Sequence, residues 1–380
     1  MSGTQSGPER GPEATPETAL GTTPERAPET ALGTTPQPVP DPERAATVAA
    51  RAELVRQIEA GGRLRDPRWR AAFEDVPRHL FVPYYFVATP RGYQRLSGSD
   101  PDPQRRLRWL DGVYTDTALA TCMRDGEVVS SSSQPSLMAM MLEALRVEEA
   151  EDQRPDTGCR VLEIGTGTGY NAALLAHRLG ADRVTTVDLD EEITGPARDR
   201  LATAGHRPAV VTGDGSLGCP DRAPYDRIIA TCALPSVPPA WIAQCTPGAL
   251  VLAPLATGLV ALRVTDPEAV RAEGRFLHTP AYFVPLRART EPTTPPESPA
   301  LEGQHPGSRH GIPRETLRDD RFHFLRTLTA ASLTPGEAHA LWQQENHPHR
   351  ERFGVTVHRT RQYAWLDSPE GPHRWALPAG

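Results

Sequence analysis

No apolar run in the 380-residue chain approaches a membrane span, and no signal-peptide core stands at its start. Basic charge is neither abundant nor concentrated. Lys and Arg number 41 against 48 Asp and Glu, for a net charge of −7. That balance argues against a nucleic-acid polyanion as the main partner. Cysteine is scarce and odd in number: Cys122, Cys159, Cys219, Cys232 and Cys245. Their spacing matches neither a disulfide framework nor a metal site. No metal is expected, His347 and His349 read as loop residues, and a reducing cytoplasm fits. Aromatic residues make up only 6% of the chain.

Proline is plentiful, and it falls where regular structure is least expected. Residues 1–44 are rich in Pro, Thr, Glu and Gly, and Pro16–Pro24 returns without change as Pro28–Pro36. Such a segment has too little apolar surface to offset its ordering entropy, so a disordered tail is expected. Residues 288–315 read as a linker of similar composition.

The centre of the chain is different. Val161-Leu162-Glu163-Ile164 reads as a buried strand, and Gly165, Gly167 and Gly169 follow at alternate positions. A helical pattern begins at about Tyr170. Glycines there let the chain turn sharply and let a ligand lie against its backbone. The spacing G-x-G-x-G departs from the dinucleotide fingerprint G-x-G-x-x-G. It points instead to S-adenosylmethionine, which has no pyrophosphate to cradle. A second strand, Val184–Val187, ends in Asp188, where a carboxylate would grip a ribose diol. Asp190 is the alternative for that role.

Strands and helices then alternate. Strands are expected at Ala209–Thr212, Tyr225–Ala230 and Ala249–Ala253, with helices at Glu191–Ala204 and Pro238–Gln244. This is the pattern of an α/β, doubly wound, mostly parallel sheet. Ligands bind such sheets beyond the carboxyl ends of the strands. Gly165-Thr166-Gly167, Asp188, Gly213-Asp214-Gly215 and Thr231-Cys232-Ala233 all fall there. Leu259–Val264 and Tyr282–Leu286 read as antiparallel edge strands.

Before the glycine loop, Ala45–Ala60 reads as a helix, and a shorter one follows Asp66-Pro67. Val76–Pro83 reads as an extended turn, and residues 88–112 as a long polar loop. Ser130–Ser133 precede Gln134-Pro135 and a helix, where hydroxyls and free N–H groups can hold an anion or simply cap. Residues 316–380 form a small α+β extension. It has a capping box at Thr334–Glu337 and a possible hairpin of Val355–Val357 with Gln362–Trp365. About 65 residues is marginal for a separate core, so this part is expected to lean on the domain at 45–287. Its Trp342, Tyr363, Trp365 and Trp375 suggest a surface for recognising the substrate.

Val161–Leu175, Gly213-Asp214-Gly215 and Ala223–Thr231 resemble the protein-L-isoaspartate O-methyltransferase family, as do Ser133-Gln134-Pro135, Val76–Pro83 and Val113–Asp116. The resemblance spans residues 47–287. It implies a class I, Rossmann-like S-adenosylmethionine-dependent methyltransferase. It gives Ser133 contact with the substrate carboxylate, with Ser132, Gln134, Thr231 and Cys232 beside it. Glu163, Gly165, Thr166, Gly167, Gly169, Tyr170, Asp188, Asp214 and Gly215 would hold the cofactor. Asp188 replaces the family's usual glutamate. The tail, the 88–112 segment and the C-terminal region resemble variants that serve ribosomal-peptide maturation, of graspetides or lanthipeptides. In those variants an Asp methyl ester closes to an aspartimide, which persists or opens to isoaspartate.

The leading expectation is therefore carboxyl methylation within a dedicated peptide by a monomeric enzyme. General isoaspartate repair is the alternative, and a non-catalytic cofactor-binding scaffold is a further one. Methylation of RNA or a small metabolite fits the serine element and the charge less well.

Overall fold

A computed structural model describes residues 42–90, 92–153, 158–287 and 311–378. Nearly all of the expected tail and most of the expected linker lie outside the described residues. Fourteen strands are seen among the described residues: β1 (Tyr84–Thr89), β2 (Gly92–Ser97), β3 (Leu119–Arg124), β4 (Glu127–Ser132), β5 (Val161–Ile164), β6 (Val184–Asp188) and β7 (Ala209–Thr212) come first. β8 (Tyr225–Ala230), β9 (Cys245–Leu255), β10 (Gly258–Asp266), β11 (Arg271–Pro280), β12 (Phe353–His358), β13 (Arg361–Leu366) and β14 (Arg374–Ala376) complete them.

The last ten strands form one sheet, in the order β14-β13-β12-β11-β10-β9-β8-β5-β6-β7. From β7 to β9 the pairing is parallel, and helices Tyr170–Leu179 and Glu191–Thr203 make the crossovers from β5 to β6 and from β6 to β7. From β9 to β14 every pair is antiparallel. The order reverses between β5 and β8, because β6 and β7 lie on one side of β5 and β8 on the other. In an open α/β sheet that reversal opens a crevice at the strand ends.

Alternation along the strands fills two cores. Val161, Val184 and Ile229 face one, with the helices Pro42–Ala60, Pro67–Asp75 and Tyr170–Leu179. Leu162, Ile164 and Ile228 face the other, as the two-residue period of a strand requires. The first core also takes in Tyr85, Leu96 and Leu119, from the separate sheet β2-β1-β3-β4.

The C-terminal region enters the second core. Phe322, Phe324, Trp342, Phe353 and Trp375 cluster there with Phe276 of β11. The rings of Phe276 and Phe324 meet edge to face at 4.8 Å. Trp342 and Trp365 are each 2% exposed and Trp375 is 6%. These three indoles pack the interior and are not a recognition surface, which corrects the expectation for them. Trp365 covers Gly354 so closely that a Cβ there would fall 2.1 Å from Cζ2. Its Nε1 donates to Thr356 Oγ1 at 3.1 Å, and the Arg275 guanidinium lies 4.7 Å from the ring centroid.

Other local readings differ as well. The 88–112 segment is not a loop: it holds all of β2 and all but the last residue of the helix Pro103–Val113, whose N-cap Asp102 accepts from Gln104 N at 2.9 Å. That start repeats the Asp66-Pro67 pattern, in which Asp66 accepts from Arg68 N at 2.7 Å. Val76–Pro83 contains a helical turn at Arg78–Phe81. Tyr282–Leu286 forms no strand and instead brackets Ala233 through two backbone hydrogen bonds of 2.9 Å. β10 is antiparallel but internal, because β11 covers it. At Thr334–Glu337 both hydrogen bonds of the capping box are present.

Candidate active site

β5 ends at Ile164, and the chain turns at once. Gly165 has φ of 98°, and its missing side chain would lie 2.7 Å from Thr231 Oγ1. Both facts call for glycine. Thr231, just past β8, donates its hydroxyl to Gly165 O at 2.8 Å and its N–H to Ile164 O at 2.8 Å. The switch-point crevice is thus held from both sides. Its mouth is an open cavity at the carboxyl ends of the strands, the place where such sheets bind their ligands.

The cavity is lined by Glu163, Gly165, Thr166, Gly167, Tyr170, Asp188, Gly215, Thr231, Cys232, Ser132 and Ser133 among others. Three expected site residues do not line it. Gln134 donates to Asp116 Oδ2 at 3.1 Å, so its amide braces the serine loop. Asp214 accepts from Ser216 N at 2.9 Å as the cap of a short helix. Gly169 faces Leu201 and Ala197. Thr231 and Cys232 line the wall, but the Thr231 hydroxyl is spent on backbone. Burial pushes the Cys232 thiol up, so it stays neutral.

Two carboxylates give the cavity its charge. Asp188 accepts from Gly167 N at 3.0 Å and Leu189 N at 2.9 Å. Burial nevertheless pushes its carboxyl up. Glu163 is fully buried; Oε1 accepts from Asn171 Nδ2 at 2.7 Å, while Oε2 has no hydrogen-bond partner among the described residues. Burial pushes its carboxyl up to about 7. An orphaned acceptor beside a glycine cradle and a ribose-type carboxylate fits a cationic nucleoside such as S-adenosylmethionine. Asp190, the alternative to Asp188, is outside the lining and pairs with Arg287 at 2.5 Å and Arg124 at 3.6 Å.

Sequence reasoning passed over three members of this site. Asn171, one residue into the helix after the glycine loop, holds Glu163. Arg287 is the one cation among the lining residues, 3.6 Å from Asp188. Arg78 has no solvent exposure and ties the acceptor side together. Its Nη1 donates to Val113 O at 2.7 Å and Thr115 O at 3.2 Å; its Nη2 donates to Thr117 O at 3.1 Å, Ser133 O at 3.1 Å and Ser132 Oγ at 3.4 Å. The available signal was an arginine between prolines in an otherwise apolar turn. Arg78 also separates the serines. It occupies the Ser132 hydroxyl, whereas no hydrogen bond among the described residues engages the half-buried Ser133 hydroxyl.

A glycine turn at the switch point, with an acidic residue ending the next strand, defines a class I S-adenosylmethionine-dependent methyltransferase. The comparisons narrow this class. A family model described as protein-L-isoaspartate(D-aspartate) O-methyltransferase matches residues 106–291. Protein-L-isoaspartate O-methyltransferase 1 of Anaeromyxobacter sp. is 38% identical over 242 residues, covering 62% of this chain and 94% of that protein. The Methanoculleus marisnigri protein-L-isoaspartate O-methyltransferase is 36% identical over 245 residues, covering 62% of this chain and 90% of its own length. The chain belongs to the protein-L-isoaspartate O-methyltransferase family, and it is an S-adenosylmethionine-dependent carboxyl O-methyltransferase. A solved structure of a protein-L-isoaspartate O-methyltransferase shares the fold, with a TM-score of 0.53 and 22% identity over 84% of this chain and all of that one.

Proposed function

We propose that the enzyme methyl-esterifies the carboxylate of isoaspartyl residues in peptides and proteins, with Ser133 as the group that binds the acceptor. The observation carrying this reading is the free Ser133 hydroxyl, held at the cavity wall by its own carbonyl on Arg78. S-adenosylmethionine, when bound, supplies a methyl group on a positively charged sulfur. A carboxylate acceptor, with pKa about 4, is ionised at neutral pH. No general base is needed, and no histidine is among the lining residues. The protein's task is alignment and exclusion of water. Ser133 donates to one acceptor oxygen, Arg78 fixes Ser133, and Asp188 and the backbone from Gly165 to Gly167 hold the cofactor.

The reading as a dedicated peptide-maturation enzyme rests on the tail, the 88–112 segment and the C-terminal region. The match to the solved family structure covers 84% of this chain, more than residues 45–287 contain. Extra length at the C-terminus therefore does not single out a dedicated substrate, and general isoaspartyl methylation is better supported. Transfer of labelled methyl to an isoaspartyl peptide and to its aspartyl counterpart tests this. Label in the isoaspartyl peptide alone is expected. Label in neither, with transfer to a cyclised precursor peptide, would restore the dedicated reading.

A further inference from the structure

Behind the glycine loop lies a second cavity, with about 460 Å³ of free space. Ser130, Gly167 and Thr168 line both cavities and form the wall between them. Also lining the second are Tyr84 of β1, Thr121 of β3 and Arg200 of the helix Glu191–Thr203, together with the apolar Phe81, Ile193 and Pro196.

Two groups in this cavity are unspent. Arg200 is half-buried, and no hydrogen bond or ion pair among the described residues holds its guanidinium. Burial lowers its pKa, and the nearby Tyr84 hydroxyl and Asp199 carboxylate only partly offset this. The Ser130 hydroxyl, on a residue 9% exposed, likewise has no partner among the described residues. Thr121 does not satisfy it, because Thr121 Oγ1 donates to the Ser130 carbonyl at 3.2 Å. A second cation stands nearby: the Arg95 guanidinium lies 4.0 Å over the Tyr84 ring. Glu192 also lines the cavity, but its side chain is 84% exposed and pairs with Arg124 at 3.4 Å. It makes no ion pair with Arg200, whose guanidinium is left open to a ligand.

We propose that this cavity is a carboxylate subsite, in which Arg200 and Ser130 bind an acidic side chain flanking the methyl-accepting residue of the peptide. The inference rests on peptide carboxyl methylation as proposed above. Spacing supports it. Ser130 and Ser133 are three residues apart, roughly 10 Å along an extended chain. Neighbouring peptide residues, with Cα atoms about 3.8 Å apart, span that distance when their side chains extend to opposite sides. A guanidinium binds a carboxylate in two parallel hydrogen bonds, so it suits this ligand better than a neutral one.

The test uses the full-length enzyme and two isoaspartyl peptides, acetylated and amidated, with either Glu or Gln on both sides of the acceptor. The wild type is expected to favour the Glu peptide by about tenfold in kcat/KM, mostly through KM. Arg200→Gln is expected to bring that ratio close to one, and Arg200→Lys to retain part of it. A wild-type ratio of one or below overturns the subsite, and a ratio kept in Arg200→Gln overturns the role of Arg200. If Arg200→Gln fails to fold, the wild-type ratio and Arg200→Lys decide. Calorimetry of both peptides with S-adenosylhomocysteine present separates this inference from the reading beneath it. Tighter binding of the Glu peptide without methylation keeps the subsite and overturns the isoaspartyl reading. Equal binding with methylation of both overturns the subsite alone. No binding and no methylation overturn both.

Discussion

Replacing Arg78 by Met keeps most of the buried stem and removes the guanidinium. Five hydrogen bonds go with it, four of them to main-chain carbonyls, of which that of Val113 is buried. At about 1.5 kcal/mol each, the low end for charged donors, the loss is about 7–8 kcal/mol. Part of this is returned. Burial holds the guanidinium pKa at about 10 rather than 12.5, which reflects about 3 kcal/mol of desolvation that Met would relieve. The net destabilisation is then about 4 kcal/mol. With an unfolding entropy of about 2.1 cal/mol/K per residue over about 300 folded residues, the melting temperature falls by about 6 °C. The functional effect is expected to be selective. Arg78 holds the 113–117 turn and the serines but touches none of the glycine loop. Methyl transfer to an isoaspartyl peptide should therefore fall at least about a hundredfold, as for a misplaced reacting group. Affinity for S-adenosylhomocysteine by calorimetry should change less than about twofold, since none of the lost hydrogen bonds faces the cofactor. Arg78→Lys should behave much like Arg78→Met, because a single ammonium cannot span this set of acceptors. A variant that melts within a degree of wild type and turns over normally would refute the reasoning.

Ser133→Ala is expected to slow methyl transfer while leaving cofactor affinity intact, and Ser132→Ala to cost stability instead. The reverse pattern in the same two assays would put the acceptor one residue earlier. Asp188→Ala should weaken S-adenosylmethionine binding by about 1.5–3 kcal/mol, and unchanged affinity by calorimetry would reject the ribose role. Glu163 has a raised folded pKa of about 7. The folded state therefore holds more protons than the unfolded state between about pH 4.5 and 7, and stability declines across that window as pH rises. Glu163→Gln should consequently gain up to about 3 kcal/mol at pH 8 and little at pH 4.5. Equal melting shifts at both pH values would contradict this. Gly354→Val must displace the Trp365 indole and should cost about 3 kcal/mol, read as a lower melting temperature.

The parallel half of the sheet was legible in the sequence because β5, β6 and β7 are short apolar runs ended by a glycine or a carboxylate, and β8 closes on the apolar Ile228-Ile229-Ala230. The strands at 161, 184, 209 and 225 start within a residue of expectation. β1, β2, β3, β4, β11 and β14 escaped. β4 is Glu-Val-Val-Ser-Ser-Ser, whose inward serines look like a turn, and β11 carries Arg271, Glu273, Arg275 and His278 on a strand that is internal only because β12 covers it. In both, tertiary pairing overrides local composition. At the site, the glycines and Asp188 announce themselves by spacing. Arg78 and Asn171 do not, because their roles depend on partners far away along the chain or on burial that no local pattern records. Gln134 and Asp214 show the converse: a motif residue sits where the motif says while its side chain braces the loop.

The antiparallel half of the sheet also sets an order of assembly. β11 ends at Pro280, and its neighbour β12 does not begin until Phe353. While a ribosome adds the intervening residues, at about 5–20 per second, the edge of β11 stands open for about 4–15 s. An unpaired edge invites pairing with another chain. A nascent or clipped chain that stops before Phe353 already has every strand around the cofactor crevice, yet the Phe324 ring that meets Phe276 lacks the cover of Phe353. Loss of the last strands would therefore show first as aggregation, at a point where the glycine loop and Asp188 can still form. The C-terminal hairpin closes the methyltransferase against its own kind, much as a final stitch keeps a seam from running.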